Sequence, residues 1–420
     1  MLTYVLNKDG QPLMPTRRCG KVYRLLKQGK AKCIKHCPFT IQLLYEPETT
    51  AVQDITLGVD AGSKHIGLSA TTENKVLYEA DVELRNDIVN LISTRRESRR
   101  ARRNRKTRYR APRFDNRISS KKQGWLAPSV KQKAECHLKV IEDVYKIMPI
   151  SNVIVEVASF DIQKIKNPSI ERNEYQQGEQ LNFWNVREYV LFRDNHTCQC
   201  CKGKSKDKIL NVHHIESRKV GENAPNNLIT LCETCHKKFH KGEIKLPSDI
   251  KRGMKFNDAS FMGIMRWFVY NKLKEIYKNV NLTYGYKTKN MRIENNLPKE
   301  HYIDARCISG NPKAESDGVV FYQKKVRCHN RQIHKFNICK GGNRKANQAA
   351  YLVKRFRLFD KVLFKKEECF ITGRRSSGYF VLKKMDGTSI NNSAKHADLK
   401  LIETAKHYIC ERRLAIPLAG

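Results

Sequence analysis

No run of about 18 consecutive apolar residues occurs anywhere in the chain, so a bilayer-crossing helix is not expected. Met1 to Leu13 lacks a basic stretch followed by an apolar core, so no export signal is read there. These two absences lead to the expectation of a soluble, unexported, cytoplasmic protein without membrane contact. Internal repeats and long low-complexity linkers are missing too, which leaves no sign of a repeat array. Acidic residues are scarce: 42 Asp and Glu face 81 Lys and Arg, a formal net charge of +39. No ordinary metabolic enzyme needs that excess, and a field of one sign repels itself unless a polyanion neutralises it. Nucleic acid is the leading partner on this ground, with an anionic membrane surface the weaker one. Hydrophobic residues make up 40% of the chain, enough for buried cores, which excludes a wholly disordered basic tail. At roughly 100–200 residues per domain, 420 residues should form two to four folded units.

The 14 cysteines would suit a disulfide scaffold in a short secreted chain. In a large, Lys-rich chain without an export signal, thiols stay reduced and clustered cysteines point to metal. Four of them cluster. Cys198-x-x-Cys201 and Cys232-x-x-Cys235 stand 30 residues apart, and two such knuckles can offer four thiolates to one tetrahedral zinc. The zinc would supply folding free energy to a module too small to bury much core. Cys200, inside the first knuckle, reads as a bystander.

Along the chain, residues 1–52 read as a short unit with Pro12-Leu13-Met14-Pro15 and a helix over 21–29. Strand-like runs follow at 55–62, 66–71 and 75–84, separated by Gly-containing turns, and suggest a β-meander opening a mixed α/β domain. A fourth strand is expected at Asn152–Val157 and a fifth at 280–286, so one sheet is built from three separated pieces of sequence. Between the first two pieces, residues 95–117 hold eleven Arg and one Lys in 23 residues. These charges fall on every side of a helical wheel and leave no apolar stripe to dock on a core. Arg forks suit phosphates, and a helix cationic all round makes sense with polyanion on more than one side of it. From about residue 326 onward the chain is basic and reads as short strands at 361–364, 369–372 and 378–382, suggesting a small β-rich domain.

Between the cysteine knuckles stand His213, His214, Asn226 and Asn227, and after them His236 and His240. The run 208–215 reads as a strand and 233–240 as a helix, on which His236 and His240 share a face at i, i+4. This block resembles the HNH (ββα-metal) nucleases, whose pattern runs from a His-His pair through Asn-Leu to Cys-x-x-Cys-His. The resemblance implies that His214 is the general base activating water and that Asn227 orients the loop. It implies further that His213 ligates one Mg²⁺ with His236, His240 or both.

Asp60 ends the first strand in Gly58-Val59-Asp60-Ala61-Gly62, and Glu156 interrupts an apolar strand, where a carboxylate is costly unless paired or metal-bound. His301 and Asp304 lie three apart at the start of a helix after Pro298. Three carboxylates gathered at one sheet edge can hold two metal ions about 4 Å apart for in-line attack on a phosphodiester. In this order, with the Arg-rich segment and the inserted HNH block, these residues resemble the split RuvC nuclease of CRISPR effector enzymes. The Pro-Leu-Met-Pro unit and the lack of a large recognition lobe narrow the resemblance to the IscB family.

That resemblance implies an RNase H-like (RuvC) mixed sheet, α/β in class and split in sequence, with an inserted HNH module, an Arg-rich bridge helix and a small β-rich C-terminal domain. The implied division is an N-terminal unit 1–52, RuvC segments 53–92, 119–184 and 248–325, a bridge helix 93–118, HNH 185–247, and a C-terminal domain 326–420 that reads the flanking target motif. It implies a metal-dependent endonuclease guided by a long omega RNA on double-stranded DNA, acting as one protein monomer in a prokaryotic, nucleoid-associated ribonucleoprotein. Asp60, Glu156, His301 and Asp304 would form the RuvC-like centre with two Mg²⁺, and Arg95, Arg96, Arg99, Arg100, Arg102, Arg103, Arg105 and Arg108 would bind nucleic acid. Two other functions fit part of the pattern. A guide-independent, homing-type HNH endonuclease leaves the RuvC-like carboxylates without a role, and a nuclease-silent regulator leaves His214 and the carboxylates without one.

Overall fold

In a computed structural model, the structure describes residues 2–48, 50–103, 125–157, 185–216, 224–247, 257–326 and 350–415. The chain divides into two compact units, one of residues 1–158 with 261–420, the other of residues 159–260.

The first unit opens with a small sheet that the sequence reading leaves unspecified. Strands β1 (Thr3–Leu6), β2 (Pro12–Thr16), β3 (Ala31–Lys35) and β4 (Thr40–Leu43) lie in the order β2-β1-β4-β3. Helix α1 (Cys19–Lys27) begins two residues before the expected start. It lays Val22, Leu25 and Leu26 on Val5, Ile41 and Leu43.

The larger sheet positions the candidate site. Strands β5 (Thr56–Ala61), β6 (His65–Thr71) and β7 (Val76–Glu83) form the expected antiparallel meander. Strand β8 (Asn152–Val157) pairs parallel with β5, and β11 (Val280–Tyr284) pairs parallel with β8. On the other side β12 (Val319–Lys325) runs parallel to β7, and β18 (Tyr408–Leu414) runs antiparallel to β12. The order β11-β8-β5-β6-β7-β12-β18 is a mixed sheet of the RNase H-like type, assembled from separated stretches as expected, with two strands added at one side. The sequence division places 326–420 in a separate domain, whereas residues 408–414 return to this sheet.

Alternation decides what each face carries. Leu57, Val59, Ala61, Ile66, Leu68, Ala70, Val153 and Val155 are buried in one cluster with α3 (Pro128–Tyr145) and α6 (Asn257–Ile276). The intervening residues, Gly58, Asp60, Gly67 and Glu156, therefore occupy the opposite face. There α8 (His301–Ile308) crosses β5 and β6 at very short range. A Cβ on Gly58 would lie 2.0 Å from the Ala305 carbonyl oxygen, and one on Gly67 would lie 1.9 Å from that of His301. No side chain fits at either position, so these two glycines set how closely the helix approaches.

Past the large sheet, β13 (Lys361–Phe364), β14 (Glu367–Arg374), β15 (Tyr379–Lys383), β16 (Ser389–Lys395) and β17 (Lys400–Glu403) form an antiparallel sheet around Phe356, Val362, Ile371, Phe380 and Leu382. This is the small β-rich element expected near the C-terminus.

The second unit contains α4 (Val186–Arg193), the hairpin of β9 (Leu210–His214) and β10 (Leu228–Cys232), and α5 (Glu233–Lys241). Buried Asp194 ties α4 to the hairpin by accepting a 2.8 Å hydrogen bond from the Thr230 amide. Asp207 accepts from the amide and hydroxyl of Thr234 at 2.8 and 2.9 Å and so caps the first turn of α5.

Candidate functional site

On the large sheet, Asp60 projects from β5, Glu156 from the adjacent β8, and His301 and Asp304 from α8. His301 Nδ1 lies 2.7 Å from Asp60 Oδ2. Arg266 on α6 donates from Nε to the Ala61 carbonyl at 2.8 Å, places Nη1 2.8 Å from Glu156 Oε1 and Nη2 3.9 Å from Asp60 Oδ1. Arg292 on α7 (Gly285–Glu294) pairs with Asp304 at 3.0 Å. The expected residues thus gather at one place, with a counter-charge for each acid rather than direct contact among the three carboxylates. Burial pushes the Glu156 carboxyl up; the Arg266 charge opposes this and the Asp60 charge adds to it. Asp304 is raised by burial and then by Asp60. The three carboxylates are oxygen donors of the kind a divalent cation takes, and here Arg266 and Arg292 meet their charge. His301 is raised by its hydrogen bond to Asp60. Its ring stacks on His65 with centroids 5.2 Å apart and planes within 4°, while His65 Nδ1 pairs with Asp81 at 2.9 Å.

In the second unit, Cys198, Cys201, Cys232 and Cys235 bring their four Sγ atoms within 4.8 Å of one another. A tetrahedral zinc with bonds of about 2.3 Å needs sulfur separations of about 3.8 Å, and Cys201 and Cys232 stand 3.8 Å apart. Burial pushes the Cys201 thiol up, but hydrogen bonds from Ser205 and the neighbouring thiols outweigh it and bring the group down to about 6, which favours thiolate. The cluster could bind zinc. Cys200 lies outside it, as expected.

His213, His236 and His240 form a second set of ligand atoms within 4.8 Å. The Nε2 atoms of His236 and His240 are 3.2 Å apart, within the edge of about 2.9–3.4 Å that two imidazoles span on one ion. The structure therefore brings both helical histidines to His213. Burial first, and then the charges of the other histidines, lower His213 to about 4, so it stays neutral and able to donate a lone pair. Strand alternation turns His214 to the face opposite His213. Asn227, fully buried, accepts from the Glu216 amide at 2.9 Å and donates to the Glu216 carbonyl at 3.0 Å. These two bonds hold the chain just past β9.

Helix α2 (Ile88–Arg103) carries Arg95, Arg96 and Arg100 exposed, and Leu91 and Ile92 on it are exposed too. Arg105 and Arg108 lie outside the described residues, as do the side chains of Arg99, Arg102 and Arg103.

Sequence reasoning missed Arg266, Arg292 and the His65–Asp81 pair. Arg266 follows Met265 in a helix whose pattern gives no sign that this cation turns inward. The only signal for His65 was its place at the start of a strand facing Asp60.

Two family models match the chain. "RRXRR protein" covers residues 3–178, which include Arg99-Arg100-Ala101-Arg102-Arg103, and "HNH endonuclease" covers residues 198–242. The second span holds the cysteine knuckles and the histidine set, so it is the inserted unit that carries the match to the HNH endonuclease model. No curated protein matches. Solved structures of Streptococcus thermophilus Cas9 align at low similarity. The chain in complex with the GGAA PAM is 14% identical over 53% of this chain and 32% of its own, with a TM-score of 0.34. The chain in complex with the AGAA PAM is 12% identical over 61% and 32%, again at 0.34. The protein spans about a third of the length of those solved chains.

Proposed function

We propose that the protein is an RNA-guided DNA endonuclease of the IscB type, in which the HNH module cuts the guide-paired strand and the carboxylate site cuts the displaced strand. The observation that carries this reading is the pair of separate clusters, one of Asp60, Glu156, Asp304 and His301, the other of His213, His236 and His240, with His214 the next residue of the strand. Two centres with different proton acceptors suit two strands of opposite polarity. The net charge of +39 and the exposed arginines of α2 support a polyanionic guide and target, whose sequence would be read by base pairing.

At the HNH centre His214 takes the proton of the attacking water, while His213, His236 and His240 hold one Mg²⁺ and Asn227 keeps the strand end in place. At the other centre Asp60, Glu156 and Asp304 hold two. His301, with Nδ1 engaged by Asp60, offers Nε2 for proton transfer. Bound divalent ions supply charge neutralisation of the scissile phosphate and of the leaving oxygen. The four thiolates hold a structural zinc, and the working particle is one protein chain with its RNA in a prokaryotic cytoplasm.

Strand-specific end labels on a guided duplex test the reading. Asp60→Ala is expected to abolish only the displaced-strand cut, and His214→Ala only the paired-strand cut, each by on the order of 10²-fold or more. If either variant cut both strands at wild-type rates, the division of labour would be wrong.

A further inference from the structure

Tyr284 closes β11 and Tyr286 lies in the first turn of α7, on either side of Gly285. Their rings lie within 13° of parallel with centroids 6.2 Å apart. A stack that serves the fold is built differently here: Tyr145 and Tyr277 sit 3.9 Å apart and pack against the main core. Tyr284 and Tyr286 belong to no core cluster among the described residues and are 39% and 63% exposed. A centroid separation of 6.2 Å with near-parallel planes is an offset arrangement, in which the rings overlap only in part. Both residues nonetheless leave aromatic surface open to solvent.

Their position gives them a role. Within the parallel ladder Thr283 pairs with Glu156 and Tyr284 with Val157. A Cβ on Gly285 would lie 3.3 Å from Glu156 Oε1, so the tyrosines flank the residue that touches a carboxylate of the candidate centre. Lys287 and Lys289 follow on α7, whose Arg292 is engaged by Asp304. No side chain caps the N-terminus of α7, and the Glu156 carboxylate stands beside its first residue.

We propose that Tyr284 and Tyr286 form a stacking platform for bases of a single DNA strand on its way to the carboxylate site. Exposed aromatic rings beside the exposed Lys287 and Lys289 match a single strand, which presents base faces and phosphates together; in a duplex the base faces are covered. Stacking takes any base, which suits a centre whose strand is chosen by pairing elsewhere. The proposal rests on reading Asp60 and Glu156 as part of a nuclease centre.

The test uses the full-length chain and a 20-nucleotide oligo(dT) carrying 5-iododeoxyuridine at single positions, irradiated in EDTA, with crosslinked peptides identified by mass spectrometry. Crosslinks are expected at Tyr284 or Tyr286, retained in the double Phe variant and lost in Tyr284→Leu/Tyr286→Leu. In Mg²⁺, the double Leu variant is expected to raise KM for cleavage of the end-labelled oligonucleotide by about 5- to 100-fold with little change in kcat. Tyr286→Leu alone, at the more exposed position, gives the same direction if the double variant folds poorly. Crosslinks confined to other residues, or an unchanged KM in the Leu variants, would overturn the platform. If Asp60→Asn leaves cleavage intact while the tyrosine crosslinks persist, the nuclease reading fails and the platform stands. If Asp60→Asn abolishes cleavage and no tyrosine crosslinks form, the platform alone fails.

Discussion

Asp60 and Gly67 face each other across the β5–β6 ladder, and the carbonyl oxygen of His301 occupies the place where a Gly67 side chain would begin. The geometry of this acid-lined face thus depends on an absent methyl group. Gly67→Ala puts carbon 1.9 Å from a backbone oxygen, so α8 must lift and His301 must lose its 2.7 Å contact with Asp60. Overpacking of this kind costs about 1–3 kcal/mol. Urea unfolding of Gly67→Ala is expected to show a lower midpoint, and strand-labelled assays to show loss of the displaced-strand cut with the paired-strand cut retained. An unchanged midpoint together with both cuts intact would refute the close-packing account.

One zinc per chain is expected at the four thiolates. Cys198→Ser leaves three and should release most of the metal and unfold the HNH unit, because the binding free energy of such a site is folding free energy. Metal analysis of the purified wild type and proteolysis of the variant check this. Less than about half a zinc per wild-type chain would refute the four-thiolate assignment.

His137, fully buried in α3, donates from Nδ1 to the Lys133 carbonyl at 2.8 Å, and burial lowers it to about 4. The unfolded chain takes up this proton as pH falls through about 6.5, whereas the folded protein resists until about 4. The associated stability is complete above pH 6.5 and drains away toward pH 4, about 2 kcal/mol of it by pH 5. Between pH 7.5 and 5 the wild type should therefore lose more unfolding free energy than His137→Gln. Equal losses in chemical denaturation would place the protonation elsewhere.

Phosphate contacts should dominate nucleic-acid binding. Replacing Arg99, Arg102 and Arg103 by Ala is expected to lower the slope of log affinity against log salt by roughly 2–3 units. Fluorescence anisotropy over a salt series measures it, and an unchanged slope would remove these arginines from the interface.

The residues that were legible in the sequence are those whose neighbours contradict them. Asp60 stands among glycines, and Glu156 between Val153-Ile154-Val155 and Val157, where an acid has no reason to be unless it is used. The cysteine knuckles and the histidines near them announce themselves by spacing. Arg266 and Arg292 lie in helices where a cation looks like ordinary surface, and only the assembled sheet shows that they turn toward acids. Gly67 read as one more strand residue because its reason for existing, the carbonyl of His301, lies more than 200 positions away in the chain. The strands of the N-terminal sheet are four or five residues long, too short for alternation to declare them.

The strand β18 at residues 408–414 gives the protein a particular order of birth. On the ribosome the meander β5–β7 can close as soon as it emerges, but its parallel neighbours come from far later in the chain, and parallel pairing across long loops is slow. Until β18 arrives, β12 presents an open edge of unpaired amides and carbonyls, a template for pairing with another chain. Translation that halts short of residue 408 would release a polypeptide holding every carboxylate and histidine of both centres, yet with an adhesive border. Loss of the last strand should therefore show itself first as aggregation during synthesis, before any defect in cutting could be measured.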